Sequence, residues 1–214
     1  MSDPASFHPE VMPRRQSEVL RAVAPVARDS GFYLAGGTGL AIQLGHRSSV
    51  DLVWFCEKPF PNPDDLAARM RAAGIAFDIH QTAPGTLHAR VEEVATGFIS
   101  YQYPLLRPQV VYAEFDCPLA SVEDIACMKL AAVAQRGSRK DFVDVFAIGE
   151  TSTALREMLA LFRTKYETRE VGHVLVALSY FDDAEGEPMP AMVWAESWET
   201  MKTRIRAWIQ EYSG

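Results

Sequence analysis

Cysteine is scarce in this chain, and its spacing excludes two architectures. Cys56, Cys117 and Cys127 are odd in number and far apart, so they supply neither a disulfide framework nor the paired spacing of a zinc knuckle. Reduced, buried thiols are the expectation. Long apolar runs are missing too. The amino-terminal stretch MSDPASFHPEVMPRR has no apolar centre, and the run Ala22-Val23-Ala24-Pro25-Val26-Ala27 stops at Arg28, well short of the ~20 residues that span a bilayer. The expected location is cytoplasmic, with no membrane partner. Positive charge is in deficit: 21 Lys and Arg face 28 Asp and Glu, a net charge of −7. No global field draws such a chain onto nucleic acid or anionic lipid, so any polynucleotide must be held by a local basic patch. A GxSxG elbow and a histidine cluster at metal spacing are also missing, which leaves the usual hydrolase and zinc chemistries without support.

What is present suffices for a real core. Apolar residues make up 48% of the 214, with 11 Phe, 7 Tyr and 4 Trp, which rules out wholesale disorder and suits one fold of two lobes. Ser17 to Ser30 carries a helical apolar stripe. Phe32-Tyr33-Leu34 reads as a strand, Gly36-Gly37-Thr38 as a turn into a helix ending at Gly45, and Val50 to Phe55 as a buried strand. Asn62 caps a helix stopped by Gly74. Ile75–Gln81, Leu87–Glu92, Gly97–Tyr103 and Val110–Phe115 read as further strands.

From Ala120 the period becomes helical, over Ser121–Gln135, Ser138–Ile148, Thr153–Arg163 and Arg169–Tyr180. Asp182-Asp183 read as turn acids before the loop at Pro188 and Pro190. Trp194, Trp198, Met201, Ile205, Trp208 and Tyr212 then mark one apolar face of a last helix, expected to pack on the rest of the chain. The fold expected is α+β: an α/β lobe over residues 1–118 with a mixed sheet, then a helical lobe over 119–214.

The chemistry concentrates at Leu34-Ala35-Gly36-Gly37-Thr38, followed by Val50-Asp51-Leu52-Val53-Trp54-Phe55. Glycines at a helix start let the backbone approach a ligand, unpaired N–H groups and the helix dipole favour phosphate, and a Thr hydroxyl adds a donor. An Asp beside such a loop can hold a Mg²⁺–triphosphate for in-line transfer. By itself, though, the glycine pair also fits a plain tight turn.

Three ordered blocks add to this reading: Tyr33 to Thr38 with Gln43-Leu44-Gly45-His46-Arg47 and Val50-Asp51; Met128-Lys129-Leu130 through Gln135-Arg136-Gly137-Ser138-Arg139-Lys140-Asp141-Phe142-Val143-Asp144; and Ala177 to Glu185. Together they resemble the AbiEii/AbiGii-type toxin nucleotidyltransferases of the DNA polymerase β-like superfamily. The resemblance implies a nucleotidyltransferase-like fold, Mg²⁺ as cofactor, an NTP as substrate, RNA or tRNA as acceptor, growth arrest or phage defence as outcome, and a cognate antitoxin as partner.

It also implies residue roles. Gly36, Gly37 and Thr38 would cradle the phosphates, Asp51 would bind the metal, and Lys129 would face the triphosphate. Lys129 and Arg136 are seven apart and share a helix face, so both can present charge to a nucleotide; Arg47 joins them in the loop before Asp51, where His46 could also touch phosphate or base. Asp141 and Asp144, three apart, are each candidates to orient the attacking hydroxyl or complete the metal site. Asp141 is the stronger catalytic candidate with Asp51 and Lys129, and Asp144 the candidate second metal ligand. The acceptor's basic patch is expected around Arg47, Arg136, Arg139 and Lys140.

One position departs from the family pattern. Residues i and i+2 of a strand face the same way, which lets an Asp-x-Asp pair share a metal, but the second position here is Val53. Either another acid (Asp78, Asp116, Asp141 or Asp144) substitutes, or the site is weakened, or the chain has kept binding and lost catalysis as a nucleotide- or protein-binding module.

Overall fold

Val19, Leu20, Val23, Ala24 and Ala27 form one buried stripe on helix α1 (Arg14–Asp29) of the computed structural model, which describes residues 7–60 and 62–214. Residues 1–6, the beginning of the amino-terminal stretch considered above, and residue 61 lie outside the described residues. The stripe packs on one face of a seven-stranded mixed sheet. Its strands are β1 (Tyr33–Ala35), β2 (Leu52–Cys56), β3 (Phe77–Ala83), β4 (Thr86–Val91), β5 (Val94–Ser100), β6 (Val110–Tyr112) and β7 (Cys117–Leu119), in spatial order β3-β4-β5-β2-β1-β7-β6. β1 with β7 and β2 with β5 run parallel, and the remaining pairs antiparallel.

Strand alternation splits the core in two. Leu34, Leu52, Trp54, Leu87 and Phe98 face α1 and α3 (Pro63–Ala72). Tyr33 and Ala35 face the opposite way, toward Leu40 of α2 (Gly36–Leu44), Leu130 of α4 (Val122–Arg136), Phe142 of α5 (Arg139–Thr151) and Leu159 of α6 (Leu155–Lys165). Beyond β2 this second face is less covered: Arg90 of β4 and Ala95 of β5 are exposed, and His88 is half-buried. Among the described residues no helix is long and apolar enough to cross a membrane. The three cysteines are free and buried, and burial pushes the Cys117 and Cys127 thiols up to about 12, which makes them poor nucleophiles.

The helix ends follow local chemistry. Asn62 accepts from the Asp64 N–H at 3.1 Å, Ser121 from that of Asp124 at 3.0 Å, and Gly45 and Gly137 close α2 and α4 in the left-handed conformation. Three expectations need correction. The strand expected over Val110–Phe115 stops at Tyr112, the chain turns through Asp116 at φ 48°, and β7 then forms around Pro118. A proline argues locally against a strand, but the pairing of Leu119 with both Leu34 and Val110 overrides it.

Asp182 and Asp183 open a four-residue helix, α8 (Asp182–Glu185), after α7 (Gly172–Ser179). The last helix, α9 (Trp198–Ser213), begins after Trp194, whose ring instead packs edge-on against His46 at 5.9 Å. The inner face of α9 meets the chain as expected, Trp198 on Phe142 and Phe181 and Trp208 on Phe146.

Candidate functional site

β1 ends where α2 begins, and the two glycines there answer to different constraints. Gly36 sits at φ +64°, a region costly for other residues, and a Cβ on it would stand 3.7 Å from that of Val53. A Cβ on Gly37 would stand 2.6 Å from a guanidinium nitrogen of Arg47 and 3.1 Å from Ser49 Oγ, so the loop before β2 closes over the turn only because that side chain is missing. Thr38 is buried; its hydroxyl lies against the main-chain oxygen of Asp51 and 2.8 Å from Ser49 Oγ, and accepts from Gln16 Nε2 at 3.2 Å. The hydroxyl of Thr38, an expected phosphate donor, thus meets the start of the Asp51 strand.

Asp51 is exposed at the entrance to β2, and among the described residues its carboxylate makes no hydrogen bond or ion pair. Val53 pairs with Ala35 and turns away from the Leu52–Trp54 core, so it lies half-buried on the same face as Asp51.

Beneath the turn lies a buried charge network. Asp144 Oδ1 accepts from His46 Nε2 at 2.8 Å and Arg47 Nε at 2.7 Å, its Oδ2 accepts from Arg47 Nη2 at 2.9 Å, and the same Oδ2 is ion-paired with Lys129 Nζ at 2.5 Å. Asp141 Oδ1 accepts from Lys129 Nζ and Arg136 Nη2, both at 2.9 Å, and its Oδ2 from Arg136 Nε at 2.7 Å. Both carboxylates are fully buried and Lys129 is 5% exposed, whereas the Arg136 side chain is 56% exposed. Burial alone would raise the two acids. Lys129 and Arg47 nevertheless hold Asp144 well below the usual carboxylate range, and Lys129 and Arg136 lower Asp141. His46 is lowered by burial despite its bond to Asp144, and its Nδ1 has no partner, the pattern of a neutral imidazole donating through Nε2.

The His46–Arg47 loop is pinned from the far end of the chain: Ser48 N donates to Ala191 O at 2.7 Å, Val193 N to His46 O at 3.0 Å, and Arg47 bridges Met192.

Asp144, the expected second metal ligand, here has each oxygen facing two cationic or imidazole groups. Asp141, the expected catalytic acid, is likewise paired, with Lys129 and Arg136. Arg47 and Lys129 do converge under the glycine turn, but as partners of buried acids. The expected basic patch does not form as one surface. Arg47 is buried, and Arg139 gives its guanidinium to the oxygens of Ala184 and Glu185 at 2.8 Å while lying over the Trp198 ring, leaving Arg136 and Lys140 exposed.

Asp78 and Asp116 do not replace the missing acid either. Asp78 lies on β3, three strands from β2, and Asp116 is ion-paired with Arg28. No group of three or more His, Cys, Asp or Glu among the described residues is arranged to hold a metal. The donor set therefore fits Mg²⁺ as a single-carboxylate site at Asp51, which this ion accepts when phosphate oxygens and water complete its shell.

Two residues at the site escaped sequence reasoning. Gln16 of α1 gave no motif signal. His88 lies over Gly97, whose Cβ would be 3.1 Å from its Nδ1, in the cross-strand row Ala35–Val53–Gly97–His88. The alternation Thr86, His88, Arg90 was the available signal.

A profile of the family described as nucleotidyl transferase AbiEii toxin, type IV TA system, matches residues 89–208, a span that includes Lys129, Asp141 and Asp144. An uncharacterized protein of Aquifex aeolicus is 32% identical over 202 residues, covering 92% of this chain and 97% of that one. Among solved structures, the nucleotidyltransferase toxin MenT4 of Mycobacterium tuberculosis superposes with a TM-score of 0.61 at 14% identity, over 92% of this chain and 82% of that one. JHP933 from Helicobacter pylori gives 0.57 at 18% identity, over 97% and 93%. At these identities the structural likeness concerns the fold.

Proposed function

The chain belongs to the AbiEii nucleotidyltransferase toxin family, and from that premise we propose that it transfers a nucleoside monophosphate from an NTP to a hydroxyl of an RNA acceptor, tRNA among the candidates, with pyrophosphate leaving. The observation that carries this reading is the juxtaposition at the end of β1: an exposed, unpaired carboxylate at Asp51 beside a glycine-started helix, above a network of two buried carboxylates, two buried cations and the exposed Arg136. One net positive charge remains there, suited to phosphate. Bound Mg²⁺ would supply charge neutralisation of the triphosphate, and Asp51 is the residue that would hold it. The Gly36–Gly37 turn would present the amino end of α2 to the phosphates, with Arg47 seated against Gly37. Asp141 and Asp144 act as positioning residues: they orient Lys129, Arg47 and Arg136.

The family's description as a toxin of a type IV toxin–antitoxin system supports a cognate antitoxin as partner and growth arrest as the outcome, and we extend the proposal to phage defence. A catalytically silent, nucleotide-binding role is favoured by one observation, the apolar Val53 beside Asp51.

Labelled NTPs incubated with Mg²⁺ and bulk RNA separate the two. Transfer by the wild type and its loss in Asp51→Asn, with unfolding unchanged within about 0.5 kcal/mol as for other exposed positions, is the expected result. Nucleotide binding without transfer by the wild type overturns the enzymatic reading.

A further inference from the structure

One cavity among the described residues lies apart from Asp51. It has a volume of about 740 Å³, within the range of small-molecule sites, and its walls include Phe60, Thr86, Tyr101, Tyr103, Lys165 and Tyr166. Strand register ties it to the site. Asp51, Val53 and Phe55 alternate onto one face, and Phe55 meets Tyr101 edge-on with ring centroids 5.4 Å apart. Tyr101 then meets Tyr103 at 5.1 Å, and Tyr103 meets Tyr166 at 4.7 Å. Asp51 and Phe55 are four strand residues apart, roughly 13 Å at a rise of ~3.3 Å each. The rings of Tyr101 and Tyr103 continue this row beyond Phe55 to the cavity wall, the direction in which an extended nucleotide would run from phosphates at Asp51.

The walls are suited to a flat ring and unsuited to a phosphate. Lys165 is fully buried, and its ammonium is consumed by Asp124 Oδ1 at 2.7 Å and Pro104 O at 2.8 Å. Glu167, also on the wall, adds negative charge. The hydroxyls of Tyr101 and Tyr166 bond to each other, and Tyr166 also donates to Cys127 O at 3.3 Å, so those two rings are fixed. Tyr103 is 45% exposed, with ring surface left for a partner. Thr86, Ser100 and Gln102 place hydroxyl and amide groups around the same space, where the edge of a base needs donors and acceptors.

We propose that this tyrosine-lined cavity receives the nucleobase and ribose of the NTP whose phosphates lie at the Gly36–Asp51 end, with Tyr103 stacking on the base. The proposal rests on the nucleotidyl-transfer reading above. Aromatic stacking contributes enough per base that its removal is readable as a change in Kd.

The full chain is titrated calorimetrically in Mg²⁺ with each of the four NTPs and, separately, with inorganic triphosphate, which lacks a base. Tyr103→Ala is expected to weaken NTP binding roughly tenfold or more, Tyr103→Trp to restore it, and neither to change the affinity for inorganic triphosphate. Equal NTP affinity in the wild type and Tyr103→Ala overturns the base site and leaves nucleotidyl transfer standing. The site is equally overturned if Tyr103→Ala weakens only an RNA oligonucleotide, since the cavity then serves the acceptor. If the wild type binds neither the NTPs nor inorganic triphosphate, the transfer reading falls together with the proposal.

Discussion

Asp144 is sealed under donors from His46, Arg47 and Lys129, whereas Asp51, on the other side of the Gly37–Arg47 contact, is exposed and unpaired. Both carry the same functional group, and both sit in blocks that point to nucleotide chemistry. The difference lies in what the fold has already bound to them. A carboxylate whose lone pairs are filled by fixed cations is structural, because removing those cations would leave bare charge in the interior. A carboxylate left to water at a helix entrance is free to act on a ligand.

The largest effect is expected from breaking the buried half. Asp144→Ala strands Arg47 and Lys129 without their shared anion and should cost about 3–5 kcal/mol, the usual loss when one partner of a buried pair is removed, read by urea unfolding. A loss below about 1 kcal/mol would mean that the network is not what holds the His46–Arg47 loop. Sharpening the open half calls for Val53→Asp. An acid placed on a half-buried strand position should cost roughly 1–3 kcal/mol in chelator and recover with Mg²⁺, and transfer should rise as a second carboxylate joins Asp51. A stability independent of Mg²⁺ would show that Val53 does not stand beside the metal position.

The smallest effect concerns pH. His46 is lowered by burial, so below its unfolded value of about 6.5 the unfolded chain binds a proton that the folded chain refuses. Stability should therefore fall as pH drops from 6.5 toward the folded value, by at most ~1.4 kcal/mol per unit. Asp141 and Asp144 are lowered too, so their contribution persists above about pH 4 and is lost only as pH falls below it. Unfolding at pH 7.5 and 5.5 should show this dependence in the wild type and a flatter one in His46→Gln, whose amide can still donate to Asp144. Equal slopes would count against a neutral His46.

Much of this was readable from local pattern. The α1 stripe, the caps at Asn62 and Ser121, the glycine stops and the inner face of α9 all depend on neighbours within one or two turns, where spacing and side-chain chemistry act directly. β7 was not readable, because Pro118 speaks against a strand and only its pairing with β1 and β6 makes it one. The pinning of Arg47 by Ala191 to Val193 spans most of the chain, and no local pattern announces it.

The sequence by itself determined which residues could form a phosphate-facing site: the glycine pair before a helix, Asp51 two positions ahead of an apolar Val53, and a cation-rich block from Lys129 to Asp144. Tertiary structure alone decided which of them are free. Ion pairing depends on distance and burial in three dimensions: the packing of α4 on α5 brings Lys129 to Asp141 and Asp144, and the His46–Arg47 loop over Gly37 brings Arg47 to Asp144, while Asp51 stays outside the network.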